Sequence, residues 1–241
     1  MKRLVRNKKG QFVIIAVMLV AIMIVSIGAL LHSAVTYYKH EPWEEYSTLI
    51  GDIELNTRRL LELSLVEYAK TDDVNVLTGN LNKWQSNLSS IYPNSGIYLD
   101  FTVKNEIIDI YGNDIKFTNG LAKKWNQSTS TSSARANFTL GVASIGLEGY
   151  EFTAEALLRV YIVPGSLPTN SVEVVVYKEN NMTISNLKKA NFRVNGADVV
   201  NMTASYVPTL GVVTYRIYYQ GVTPPMIEVW DQRGIYVTAK P

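Results

Sequence analysis

The residues that could do chemistry in this chain are few and scattered. It has two histidines, His32 and His40, and near them the acids Glu41, Glu44 and Glu45. Eight positions put the pair about two helical turns apart on one face. That spacing is too sparse for a metal site without further ligands, so the pair reads as interfacial side chains. No histidine follows position 40, so a serine–histidine–acid triad cannot form in the rest of the chain. There is no cysteine, which excludes disulfides, thiolate metal sites and cysteine nucleophiles. HExxH, the phosphate-binding P-loop and GxGxxG are all missing. Asp100, Asp109, Asp114, Glu148, Glu151 and Glu155 are scattered over predicted strands and turns. Glycoside hydrolysis needs two carboxylates facing one bond, and nothing in the spacing pairs any two of these. Asp109 to Asp114 lacks the regular acidic spacing of a calcium loop. The reading is a protein without catalytic, metal or cofactor residues.

Five Asn-x-Ser/Thr acceptors remain, at Asn87, Asn126, Asn137, Asn181 and Asn201. Glycans there would add solvation at a surface. Asn126 lies in a polar stretch and is the best placed. Asn137 and Asn201 fall within predicted strands and make poorer acceptors. At each site the alternative is an unmodified asparagine. Fifteen tyrosines complete the inventory. In β-rich extracellular domains such rings pack one face and keep the hydroxyl wet, or form contact surfaces.

Charge is distributed unevenly. The first 35 residues hold Lys2, Arg3, Arg6, Lys8 and Lys9 and no acid. Subtracting these five leaves 18 bases against 21 acids, a formal charge of −3. The basic pI of about 8.6 therefore belongs to the tail, and no basic patch for nucleic acid is evident. From Phe12 to Leu31 there is neither charge nor proline. A helix needs roughly 20 such residues to cross about 30 Å of hydrocarbon, and an isolated strand would leave its backbone unpaired in lipid. With bases before it and acids after it, the positive-inside rule puts the N-terminus in the cytoplasm and the remainder outside the cell membrane. Tyr37, Tyr38 and Trp43 sit where aromatic rings settle at the headgroups.

Lys8-Lys9-Gly10-Gln11-Phe12 places a basic pair and a glycine directly before the apolar run. This resembles the class III signal of archaeal type IV pilins and related surface proteins. The resemblance covers about the first 35 residues. It implies cleavage between Gly10 and Gln11 by a prepilin-type membrane peptidase, with the apolar helix kept as the mature N-terminus and pilin-like chains as neighbours. The alternative is that Lys-Lys-Gly is the basic flank of an uncleaved anchor.

The elements that must carry these residues follow from periodicity. Leu49, Ile53, Leu60, Leu61 and Leu63 predict a helix from about Tyr37 to Ala69, with Glu54 and Arg58 at ion-pair spacing. A second helix is expected from about Asp73 to Ser90, stopped by Tyr92-Pro93-Asn94-Ser95-Gly96. Beyond it, alternation predicts strands near 97–104, 106–111, 114–118, 135–145 and 150–163, with a hairpin at Gly146–Gly149. Gln127–Ser133 reads as a polar connecting loop, and O-glycan attachment is its functional alternative. Pro164–Pro168 reads as a linker. Strands are then expected near 171–178, 197–206, 212–220, 226–230 and 234–239, with a tight turn at Asp231–Gly234. The predicted class is α+β: tail or leader 1–10, transmembrane helix 11–35, helical stalk 36–95, β-rich domain 96–165, and an immunoglobulin-like C-terminal sandwich 169–241.

Two functions follow. The first is a membrane-anchored extracellular structural or adhesion protein, as a pilin-like filament subunit. The second is a monomeric single-pass binding module for a carbohydrate or an envelope partner. An aromatic groove in 170–241 would favour the second.

Overall fold

A computed structural model describes residues 8–39, 43–165, 170–221 and 224–241. Lys2, Arg3, Arg6, His40 and Pro42 lie outside the described residues, as do residues 166–168 of the expected linker. The class is α+β: an N-terminal apolar helix, two further helices, then antiparallel sheets. The chain divides between Ile50 and Gly51 into two compact units.

The first unit contains helix α1, Lys8–Lys39. The backbone of Lys8, Lys9, Gly10 and Gln11 forms its first turn. Every side chain from Ala16 to Ser33 is exposed, His32 among them. By length and composition this segment is apolar enough to cross a membrane. An all-round apolar helix has no polar face to offer water.

Helix α2 (Trp43–Thr71), which belongs to the second unit from Gly51, and helix α3 (Val76–Ile91) precede the strands. The buried stripe of α2 runs through Ile53, Thr57, Leu61, Ser64, Leu65 and Tyr68. These positions follow the 3.6-residue period, which leaves Leu63 on the opposite face, 64% exposed. Helix α3 buries Val76, Leu77, Leu81 and Leu88. It lies against α2, where the Trp84 indole donates to Thr57 Oγ1 at 3.2 Å and Asn80 Nδ2 to Ser64 Oγ at 3.1 Å. Glu54 does not pair along the helix with Arg58. It accepts the Tyr150 hydroxyl at 2.6 Å, and that bond raises the tyrosine's pKa.

The strands are β1 (Ile97–Thr102), β2 (Ile107–Asp109), β3 (Asp114–Lys116), β4 (Leu121–Lys124), β5 (Thr129–Val142), β6 (Leu147–Ile162), β7 (Ser171–Tyr177), β8 (Phe192–Val194), β9 (Ala197–Asp198), β10 (Asn201–Val207), β11 (Val212–Tyr218), β12 (Ile227–Trp230) and β13 (Tyr236–Ala239). They form a seven-stranded sheet ordered β1-β5-β6-β7-β11-β10 with β4 also on β5, a four-stranded sheet β13-β12-β8-β9, and the hairpin β2-β3. Strands β6 and β7, on either side of the expected linker, pair directly from Arg159 opposite Tyr177 to Ile162 opposite Val174. Strands β1, β4, β5 and β6 therefore share one sheet with β7, β10 and β11, and all the strands belong with α3 and α2 from Gly51 to one unit. The β5–β6 reversal comes slightly earlier than expected. A 3-10 turn at Ala143–Ile145 closes on Gly146, whose φ of 67° suits a residue without a side chain.

The largest departure from expectation is at Gln127–Ser133. From Thr129 onward this is strand, and Ser130, Thr131, Ser132 and Ser133 are at most 1% exposed. Both faces are covered there. On one, Ile110, Ile115 and Phe117 at the β2–β3 hairpin pack with Ala122 and Leu157. On the other, Cα atoms of β13 come within 8 Å of those of β5 and β6, closer than the ~10 Å usual between stacked sheets. Small side chains make that approach feasible. Ser132 Oγ donates to Tyr236 O at 2.7 Å and accepts the Trp125 indole N–H at 2.8 Å. Asn126 N–H donates to Thr238 O, and Lys240 N–H to Gln127 O.

Neighbouring buried serines should therefore respond differently. Ser132→Ala orphans an indole N–H and a carbonyl, and is expected to lower unfolding stability by about 1–3 kcal/mol. The Ser133 hydroxyl has no partner among the described residues, so Ser133→Ala should be neutral or slightly stabilising. Urea unfolding of the two variants in parallel checks the contrast.

Candidate functional site

The β12–β13 turn, Asp231-Gln232-Arg233-Gly234, brings a guanidinium into the second unit's interior. Asp231 Oδ1 accepts the backbone N–H of Arg233 at 2.9 Å and of Ile235 at 3.1 Å. Gly234 takes a φ of 83°, in the left-handed region. The turn thus holds Arg233 where three carboxylates meet it. Nε donates to Asp231 Oδ2 at 2.7 Å, and Nη1 to Glu179 Oε1 at 2.6 Å and Glu62 Oε1 at 3.2 Å. Nη2 donates to the Leu157 carbonyl at 2.9 Å, and the Leu157 N–H donates to Glu179 at 2.6 Å. Burial alone would lower the Arg233 pKa. The charges of Asp231 and Glu179 outweigh it and hold the guanidinium above its ordinary value. Each guanidinium nitrogen of Arg233 bonds within the fold, which gives the cluster a structural role.

Beside this turn is a cleft of about 380 Å³, lined by Val66, Ala69 and Lys70 of α2 and by Arg193, Glu228, Trp230, Gly234 and Tyr236. Its aromatic wall follows from register, because Trp230 lies opposite Tyr236 in the β12–β13 pair. Arg193, on the adjoining β8, sits over the Trp230 ring at 5.5 Å and pairs with Asp198 at 3.2 Å. Burial, and then the neighbouring Glu228 carboxylate, push the Tyr236 phenol up to about 12. The phenol therefore stays a neutral donor across the physiological range. Glu228 also accepts the Gly196 N–H at 2.9 Å. Two flat rings with cationic and anionic groups at the rim form a surface able to bind a small polar ligand with apolar faces.

Arg159 occupies a different environment. It is 7% exposed, lies between the rings of Tyr111 (4.4 Å) and Tyr177 (4.3 Å), and donates to Asn181 Oδ1. Burial pulls its pKa down. Ring faces supply the compensation that a carboxylate supplies elsewhere.

The acids considered for catalysis are spread over several strands and turns, with one opposed pair among them. Asp109 and Asp114 face each other across the β2–β3 pair, and Glu155 faces Arg135 across β5–β6. No group of three or more metal-ligating side chains is present among the described residues. Of the five possible glycan acceptors, Asn87, Asn126, Asn181 and Asn201 are exposed, and Asn137 is half-buried. Asn137 Oδ1 accepts the Thr153 hydroxyl at 2.9 Å. The Asn126 and Asn181 amide oxygens are likewise engaged, by Thr238 and Arg159. Sequence reasoning missed the cleft because its walls come from α2 and from strands more than a hundred positions later. The only local signal was Trp230 at a strand end followed by a turn and Tyr236.

Fold and site together define an α+β protein with an apolar N-terminal helix and an aromatic-walled cleft on a separate β-rich unit. The chain matches no family model, no curated protein and no solved structure.

Glu155 gives this unit a specific pH response. Burial raises its pKa above 4.5, Arg135 opposes that, and Glu179 adds to it. The folded state therefore holds this proton more tightly than the unfolded chain, and stability falls as pH rises from about 4.5 through the folded value. Glu155→Gln should raise the unfolding temperature at neutral pH. The gain should vanish near pH 3, where the carboxyl is protonated in both states. Circular dichroism melts at the two pH values provide the check.

Proposed function

We propose that this is a membrane-anchored cell-surface protein with a structural or adhesive role, exported in the manner of archaeal pilins. One observation carries the reading. Helix α1 is uncharged from Phe12 to Leu31, and its described side chains from Ala16 to Ser33 are exposed on every side. Lipid or other apolar helices are the surroundings that suit such a segment. Lys2, Arg3, Arg6, Lys8 and Lys9 hold its leading end at the cytoplasmic face. Residues from Gly51 onward lie outside, where Asn87, Asn126, Asn181 and Asn201 are open to glycan attachment and Asn137 is less so. A prepilin-type peptidase cuts between Gly10 and Gln11, and the released helices pack with those of pilin-like neighbours in a filament core. The lipid bilayer is the first partner. Nucleic acid is not one, since the basic excess belongs to the tail and the other 18 bases are outnumbered by 21 acids.

Native protein recovered from cell membranes after alkaline extraction should begin at Gln11. A chain that begins at Met1 would overturn the processing step, and one found in the soluble lysate as a monomer would overturn the anchor as well.

The cleft favours a second reading, a single-pass binding module for carbohydrate. Trp230 and Tyr236 provide flat faces for sugar C–H groups, and Lys70, Arg193 and Glu228 provide hydrogen bonds at the rim. Titration with an oligogalacturonate, whose carboxylates suit Lys70 and Arg193, should change tryptophan fluorescence saturably. Arg193→Gln should weaken binding about tenfold, the cost of roughly one charged hydrogen bond. An unchanged spectrum at millimolar ligand would count against this reading.

A further inference from the structure

We propose that the outer edge of β10 pairs antiparallel with the same strand of a second copy of this chain, joining two seven-stranded sheets across a two-fold axis. Strand β10 ends the order β1-β5-β6-β7-β11-β10 and pairs with β11 alone among the described residues. Its outer edge therefore presents a row of backbone donors and acceptors with no strand beyond it.

Proteins ordinarily protect such edges with charge, proline or a covering segment, and the rest of this fold does so. Asp100 lies on β1, Lys123 and Lys124 on β4, and Asp198 on β9. The outer edge of β13 is covered by Ser132, Asn126 and Gln127. Strand β10 has none of these devices. No charged residue occurs between Asp198 and Arg216, and no proline interrupts Asn201–Val207. Core packing does not explain the strand either. Asn201, Thr203, Ala204, Ser205 and Tyr206 are exposed, with both faces of the strand open. Tyr206 is 62% and Leu210, in the following turn, 72% exposed.

The occupant is a second copy for two reasons. A foreign peptide added to a sheet edge is selected by pockets for its alternate side chains, and β10 has open faces on both sides. Self-pairing about Ala204 supplies its own complementarity. It sets Asn201 against Val207, Met202 against Tyr206, and Thr203 against Ser205, with no like charges opposed. A two-fold contact of this kind closes after two chains. The inference goes beyond the surface-protein reading and does not depend on cleavage at Gly10.

The chain has no cysteine, so a single thiol can report the contact. Ala204→Cys in the full chain, purified in detergent micelles, places two thiols opposite each other with Cβ atoms about 4.5–5.5 Å apart. A short bis-maleimide should then cross-link it at least about tenfold faster than the exposed control Ser144→Cys, since pairing raises the local thiol concentration to millimolar. Adding Ser205→Lys, at an exposed position, should abolish that advantage without lowering the unfolding temperature. Equal rates for the two thiols, or a rate unaffected by Ser205→Lys, would overturn the pairing. Association through α1 alone would produce that second pattern, so its result is distinguishable from failure of the anchor, which is read from membrane extraction.

Discussion

Arg233 is the contact on which the rest of the second unit depends. One guanidinium meets Glu62 from α2, Glu179 from the turn after β7, Asp231 from its own turn and the Leu157 carbonyl from β6. These elements come from distant parts of the sequence. Three carboxylates around one cation leave the cluster net negative, so the arginine is what permits the acids to approach one another. A salt bridge of this depth stabilises little relative to an apolar alternative. Its value is specificity. The observed placement of the β12–β13 turn gives each guanidinium nitrogen a partner and so ties the turn to α2, to β6 and to the segment after β7.

The same turn shapes the cleft. Asp231 fixes Arg233 on one side of Gly234, while Trp230 and Tyr236 flank the turn as a register pair. The aromatic wall is therefore held by the clasp rather than by a rigidity of its own. The close approach of β13 to β5 works with it. Leucines in place of Ser130–Ser133 would push β13 outward and take Tyr236 with it, because Ser132 bonds the Tyr236 carbonyl directly.

What could be read in the sequence followed the strength of the periodic signal. The uncharged run after Phe12, the helix stop at Pro93 and the alternation at Ile97–Phe101 each predict an element that is present. Leu63 is among the leucines whose spacing predicts α2, yet the face that the helix buries passes through Leu61 and Leu65. The serine-rich strand resists prediction for a physical reason. Serine signals a loop because its hydroxyl wants water, and here another strand's carbonyl and an indole replace that water at Ser132. The expected linker at Pro164–Pro168 is a different case. Proline and glycine mark a chain reversal, but they do not say whether the strands on either side pair. Arg233 could be read only as part of a turn, since nothing local announces Glu62 or Glu179.

Helix α1 and the second unit place different demands on any assembly. The run from Phe12 to Leu31 has no charge. Apolar helices that meet in lipid or in a filament core gain contact from packing, but it is polar residues that specify register and partner number. Within the run only Ser26 is of that kind, so register preference from this helix is small. Specificity must then come from surfaces that carry direction. In the second unit those are the hydrogen-bonding edge of β10, whose antiparallel register is set residue by residue, and the charged rim of the Trp230–Tyr236 cleft. Under the two proposals above, an anchor would concentrate chains without orienting them and the β10 edge would orient them, so that pairing would be favoured where chains share a surface.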